Sequence, residues 1–272
     1  MVSQEQRRRQ LAREKFLRQQ QRRTAARRKT HTRNAVIASV VGVLVAGGAL
    51  SFATGVFKND DKKTSAGSEV SPSATPSKAS DPCEKPAAGK VKSLSWKKEP
   101  AVTIDKSAAY TMKMATTCGD IDIALKASAA PHTVNSFSYL AGKGFFDHTK
   151  CHRLTTNGIY VLQCGDPTAQ GSGGPGYTIP DENLKDKTLK GGVYPAGTIA
   201  MANTGQKHTG GSQYFLVYQD SQLPPSYTPF GTISKSGMTV LKKIAAAGES
   251  TGQGDGAPNA TVVINKMTVT KS

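Results

Sequence analysis

The stretch YTMKMATTCGDIDIAL, Tyr110 to Leu125, reads as two strands with the turn between them. Tyr110-Thr-Met-Lys-Met-Ala-Thr116 alternates apolar and polar side chains, and Ile121-Asp-Ile-Ala-Leu125 alternates again. A period of two sends one set of side chains to a core and the other to solvent. Cys118-Gly119-Asp120 supplies the turn, so the pair predicts an antiparallel hairpin. Toward the C-terminus the same pattern returns in short pieces. After Pro131, apolar residues at Val134, Phe137 and Leu140/Ala141 recur at helical spacing and stop at Gly142 or Gly144. That predicts a helix with proline near its start and glycine near its end. A second helix is expected over Gly237–Ala247, and strands over Ile159–Gln163, Thr198–Ala202, Tyr214–Tyr218, Phe230–Ile233 and Thr261–Thr268. Many short strands with only two helices indicate a mainly β domain, an antiparallel barrel or sandwich, over residues 95–272.

Toward the N-terminus the composition changes twice. The 272 residues carry 36 Lys+Arg against 19 Asp+Glu, a net charge of +17. Residues 1–34 hold 12 basic and 2 acidic groups, residues 35–57 hold none, and residues 58–272 hold 24 and 17. That distribution excludes a uniformly basic soluble protein and argues against a simple cytosolic enzyme. Aromatics at 6% and charged residues at 20% exclude wholesale disorder. The uncharged run AVIASVVGVLVAGGALSFATGVF, Ala35 to Phe57, would span about 34 Å as a helix, enough for a hydrocarbon core of about 30 Å. A cleaved signal peptide has a shorter apolar stretch, and Ser51-Phe52-Ala53 is a poor cleavage site, so an uncleaved single-pass anchor is expected. The basic flank stays cytoplasmic and the C-terminal portion lies outside the cell membrane. Topology and attraction to anionic headgroups account for the basic tail without a nucleic-acid partner. Residues 58–94, rich in Ser, Pro, Ala and Lys, read as a disordered linker.

Four cysteines follow the anchor, on a side where disulfides persist. Three pairings are possible. Cys118 sits in the hairpin turn and Cys151 opens the strand leading to Arg153, and a small barrel can bring such ends together. A Cys118–Cys151 bond is therefore expected, with Cys83 on the linker and Cys164 inside a strand. Other apparent motifs carry no chemistry. Gly171-Ser-Gly173-Gly-Pro-Gly176 fits a dinucleotide-binding spacing, but Pro175 and the following residues do not open the helix such a site needs. Gly210-Gly-Ser212-Gln-Tyr214 lacks the closing glycine of a nucleophile elbow. His148, Cys151 and His152 match no zinc pattern. No metal or cofactor is expected. One residue stands out by counting: of the 24 basic residues after the anchor, 23 are lysine and only Arg153 is arginine. Lysine suffices for solubility, whereas arginine offers a rigid planar fork of donors for a defined polar target.

Cys151-His152-Arg153-Leu154, Val161-Leu162-Gln163-Cys164-Gly165-Asp166-Pro167, the GSGGPGY loop, Pro180-Asp181-Glu182-Asn183, Met201-Ala202-Asn203, Gly211-Ser212-Gln213-Tyr214-Phe215 and Phe230-Gly231 together resemble the cyclophilins, in that family's order and near its spacing. The likeness covers about residues 105–270 and extends to the membrane-anchored form of high-G+C Gram-positive bacteria, the actinobacteria. It implies an eight-stranded antiparallel barrel capped by two helices, acting as a monomer on X–Pro bonds of exported polypeptides. By the same resemblance Arg153 is the donor to the imide nitrogen. Gln163 and Gln213 hold Arg153 and the substrate carbonyls, and Phe215, Val161 and Leu223 line the proline pocket. Ala202 and Asn203 meet the residues before proline, and Tyr160, His152 and Tyr227 complete the binding surface. Alternation alone would put Phe215, Val161 and Leu223 in an ordinary core. The chain departs from the common form in several places. The Arg153–Gln163 segment is two residues longer, the Met201–Gln213 segment one longer, Leu223 stands where many members carry tryptophan, and Tyr227 where many carry histidine. Loss of that tryptophan should weaken binding of cyclosporin-type macrocycles. The altered rim also leaves open a second function, a proline-peptide-binding module or envelope chaperone with little turnover.

Overall fold

In the computed structural model, which describes residues 81–271, the alternating pair forms the hairpin expected of it. β1 (Tyr110–Thr116) and β2 (Gly119–Leu125) run antiparallel, with Tyr110 opposite Leu125 and Thr116 opposite Gly119. Met112, Met114, Ile121 and Ile123 are fully buried, so the period of two does select the core face. Gly119 turns the chain at φ +127°, a conformation that a side chain would resist. The other strands are β3 (Thr149–Lys150), β4 (Arg153–Thr155), β5 (Val161–Cys164), β6 (Val193–Tyr194), β7 (Thr198–Met201), β8 (Tyr214–Val217), β9 (Ser221–Gln222), β10 (Pro229–Ile233), β11 (Asp255–Gly256) and β12 (Val263–Lys271). All the pairings are antiparallel.

The main sheet has the order β11-β4-β5-β8-β7-β10-β2-β1-β12-β3, and β6 pairs only with β9. β3 closes that order and β4 stands next to its other end, yet only two residues separate them in the chain. The run Thr149–Thr155 therefore carries the sheet back toward its own beginning. With that run taken as one bent strand, the circuit passes through eight strands, to which β11 and the β6–β9 ribbon are additions.

Two helices cover this sheet. α1 (Pro131–Gly142) has proline in its first turn and no capping side chain of its own. Its open N–H groups are met from 50 residues away: His132 and Thr133 donate to Glu182 at 3.0 and 2.9 Å. α2 (Lys235–Ala246) is capped locally, the Ser234 hydroxyl accepting from the Gly237 N–H at 3.0 Å. α1 delivers Phe137 into an aromatic cluster, its ring 4.7 Å from Phe230, 5.2 Å from Phe146 and 5.4 Å from Tyr214. Each such buried ring contributes about 1.5–3 kcal/mol.

Two expectations need correction. The cysteines pair as Cys83–Cys118 and Cys151–Cys164, not Cys118–Cys151. Thr117 and Cys151 donate to consecutive carbonyls, Val263 and Val262, at the start of β12. That strand runs between the two cysteines. Strands on either side of a third stand about 10 Å apart, beyond the roughly 7 Å a disulfide can bridge. Cys151 instead faces β5, where Cys164 lies, and Cys118 is met by Cys83. The second correction concerns the linker. Residues 81–94 have no regular secondary structure, but they lie against the domain: Glu84 donates to the Thr117 carbonyl at 2.8 Å, Ala87 to Asn265 at 3.0 Å, and Leu94 packs on the core. The expected tail and membrane helix, 1–57, and linker residues 58–80 lie outside the described residues. Among the described residues no helix is long and apolar enough to cross a membrane.

Candidate active site

The strands β4, β5, β8 and β7 lie side by side, and cross-strand partners share a face. Arg153 is opposite Gln163, Gln163 opposite Phe215, and Phe215 opposite Ala200. These four form one row on the side of the sheet away from the aromatic core. Their neighbours in sequence, Leu154, Leu162, Leu216 and Ile199, point inward and are fully buried. The outward set forms a small apolar cluster of its own: Val161, Tyr194, Ala200, Phe215 and Val217, with Ile159, Ala202, Leu223 and Tyr227 packed on it. A pocket of about 110 Å³ opens on this cluster, lined by Arg153, Ile159, Val161, Gln163, Ala202, Asn203, Phe215, Leu223 and Tyr227. A dry cavity of about 150 Å³ accommodates benzene, so this pocket suits a five-membered ring. Val161 and Phe215 are 2% and 5% exposed, whereas the Arg153 side chain is 38% exposed, which puts the apolar floor below and the cation at the rim.

The Arg153 guanidinium is held on two sides. Nε and Nη2 donate to the two carboxylate oxygens of Asp255 at 2.7 and 2.8 Å, and Nη1 donates to Gln163 Oε1 at 3.3 Å. The hydrogen-bonded carboxylate raises the Arg153 pKa above its ordinary value despite the opposing effect of burial, so the cation is permanent. Gln163 Nε2 donates to Gln213 Oε1 at 2.9 Å, and Gln213 Nε2 to the Gly173 carbonyl at 2.9 Å. Gly173 belongs to the glycine-rich loop, which is organised by the buried Asp166 carboxylate. That group accepts from Thr168 N and Oγ1, Gln170 N and Gly173 N at 2.7–3.1 Å. Burial alone would raise the Asp166 pKa, but these hydrogen bonds outweigh it and the net shift is downward. A β-carbon at Gly173 would stand 2.1 Å from Asp166 Oδ1, so only glycine permits the approach. This loop, with Gln163, Ala202, Asn203 and Gln213, borders a second, wider groove of about 500 Å³ beside the first.

Tyr227 and Tyr194 fix the Phe215 ring. Tyr227 meets it edge-on at 5.4 Å, Tyr194 lies 6.3 Å away, and the Tyr194 hydroxyl donates to the Tyr227 carbonyl at 2.8 Å. Of the residues expected at the site, His152 and Tyr160 stand apart. Tyr160 points to the opposite side of its segment from Ile159 and Val161, and its ring packs on Tyr218 at 5.9 Å; Ile159 takes its place at the pocket. His152 is turned away from the pocket for the same reason of alternation beside Arg153. It lies by the Asp166 loop, with neither ring nitrogen hydrogen-bonded and its pKa lowered by burial. Three residues of the site escaped sequence reading: Ile159, Tyr194 and Asp255. Alternation back from Val161 would have found Ile159. The only trace of Asp255 is a lone acid in the glycine-rich run TGQGDGAP; Tyr194 has no local signal.

The model of the family described as cyclophilin type peptidyl-prolyl cis-trans isomerase/CLD matches residues 111–269. The chain belongs to the cyclophilin family. It is similar to the probable peptidyl-prolyl cis-trans isomerase B of Mycobacterium leprae, 48% identical over 198 residues, which is 70% of this chain and 63% of that relative. The protein of the same description from Mycobacterium tuberculosis H37Rv is 44% identical over 201 residues, 71% of this chain and 61% of the relative. Peptidyl-prolyl cis-trans isomerase B of Bacillus subtilis is 38% identical over 126 residues, 46% of this chain and 82% of the relative. The chain thus spans less than two thirds of the length of its mycobacterial relatives. The cyclophilin match contains the whole β4-β5-β8-β7 row and Asp255.

Proposed function

We propose that this protein is a peptidyl-prolyl cis-trans isomerase acting on X–Pro bonds of exported polypeptides. The observation that carries the reading is the Arg153 guanidinium at the rim of an apolar pocket floored by Phe215 and Val161. Rotation about a peptide bond meets a barrier of about 18–20 kcal/mol because the C–N bond has partial double-bond character. At X–Pro the isomers differ by only about 0.5–1 kcal/mol, so the barrier alone is the obstacle. The chemistry needs no nucleophile. A proline ring seated on Phe215 brings its imide nitrogen under Arg153, and an N–H donated to that nitrogen favours the pyramidal form in which rotation is easy. Gln213 and Gln163 clamp the flanking carbonyls. The Asn203 side chain, bonded to Ser226 and Gly205, holds its own backbone where it meets the residues before proline.

The same proposal holds the domain outside the cell membrane, tethered by an uncleaved helix at 35–57 behind a cytoplasmic basic tail. Two features support it: the charge distribution along residues 1–57, and the pairing of all four cysteines, which requires an oxidising compartment. The test of the activity is a proline-isomerisation assay on the protein and its Arg153→Ala variant. A fall in kcat/KM of at least about tenfold is expected, corresponding to about 1.4 kcal/mol of lost transition-state stabilisation. An unchanged rate in a folded variant would remove Arg153 from the reaction.

A further inference from the structure

We infer that Asp255 is the positioning residue of the catalytic arginine: its carboxylate fixes the plane and reach of the Arg153 guanidinium over the pocket. This rests on the isomerase reading and deepens it. An arginine side chain has four torsions to settle, and Gln163 alone touches it at 3.3 Å, a long single contact. Asp255 adds two parallel hydrogen bonds at 2.7 and 2.8 Å, which define a plane as well as a point. Of the five guanidinium donors, three are thereby engaged and two remain for a substrate. The main chain that carries this carboxylate is itself fixed by strand pairing. β11 pairs with β4 so that Asp255 lies opposite Thr155, two residues from Arg153. The Thr156 N–H donates to the Gly254 carbonyl at 2.9 Å. Behind it, the Glu249 carboxylate gathers Thr251 N, Thr251 Oγ1 and Gly254 N at 2.6–2.8 Å and shapes the loop that delivers Asp255.

The exposure of the pair shows that its role is geometric. The two side chains are 38% and 55% exposed, where an ion pair adds little to stability. Asp255 also lies outside the pocket lining, so it acts through Arg153 and not on substrate.

The experiment is a double-mutant cycle on the full-length protein, with isomerisation kinetics and thermal unfolding measured for each variant. Asp255→Asn, nearly isosteric, replaces one acceptor oxygen by a donor facing the guanidinium. It should lower kcat/KM by about tenfold, mainly through kcat, with little change in melting temperature. In the Arg153→Ala background the same substitution should change kcat/KM less than about twofold, because the group it positions is gone. In protein labelled with 15N-arginine, the Nε–H signal lost in Arg153→Lys should exchange faster with water in Asp255→Asn. Unchanged kinetics in Asp255→Asn, or an equal loss with and without Arg153, would overturn the assignment while leaving the isomerase reading intact. A wild-type protein that does not accelerate isomerisation would overturn both.

Discussion

His152, just before β4, and Arg153, the first residue of β4, point to opposite sides of the chain. Arg153 reaches the pocket rim, donating to Gln163 in the lining and to Asp255 outside it. His152 meets the back of the glycine-rich loop, a β-carbon at Gly171 standing 3.9 Å from its ring, with no partner for either nitrogen. Burial is the largest cause of its lowered pKa; the nearby Asp166 acts the other way and does not compensate. The imidazole is therefore neutral at pH 7. Its folded pKa lies below the ordinary 6.5, so the unfolded chain binds the proton more readily. Stability is then complete above about pH 6.5 and is lost as the pH falls through the folded value. Thermal unfolding from pH 7 to about pH 5 should show a steeper loss of melting temperature in the wild type than in His152→Gln. Equal slopes would show that His152 does not titrate on unfolding.

The β4–β5 pair is the element on which the site depends, because it carries both Arg153 and Gln163. Cys151 and Cys164 lie just beyond that pair of residues, and their bond joins the two strands across 13 residues of chain. In the chain-entropy model such a closure contributes about 3 kcal/mol. The Cys83–Cys118 bond spans 35 residues and pins the segment before the domain to the β1–β2 turn, away from the pocket. The two bonds should therefore separate in their effects. Replacing Cys151 and Cys164 by alanine should cost about 2–3 kcal/mol of stability and lower kcat/KM severalfold. Replacing Cys83 and Cys118 should lower the melting temperature with kcat/KM preserved. Stability curves with isomerisation rates on both double variants decide this, and loss of activity in the second alone would reverse the assignment.

For the whole molecule, the proposed topology makes a direct prediction. Protease added to cells with a permeable wall should cut within residues 58–80 and release the β domain, leaving the basic tail protected. A mature protein starting after Ala53 would instead identify the apolar run as a cleaved signal. Local order determined much of this chain's reading. Alternation over Tyr110–Leu125 and the helical spacing after Pro131 depend on neighbours a few residues away, and the structure forms those elements with nearly the expected bounds. Arg153 was legible by composition, and the family by its ordered motifs. Tertiary structure alone decided what these elements touch. Whether Cys118 meets Cys83 or Cys151 depends on which strand runs between them. Glu182 caps a helix 50 residues earlier in the chain, and Asp255 grips an arginine 102 residues away. Such contacts leave no periodic trace, because the chain must close on itself before the partners are neighbours. The sequence by itself determined the elements and the lone arginine after the apolar run; the tertiary pairing of the strands decided which carboxylate, which cysteine and which tyrosine stand beside them.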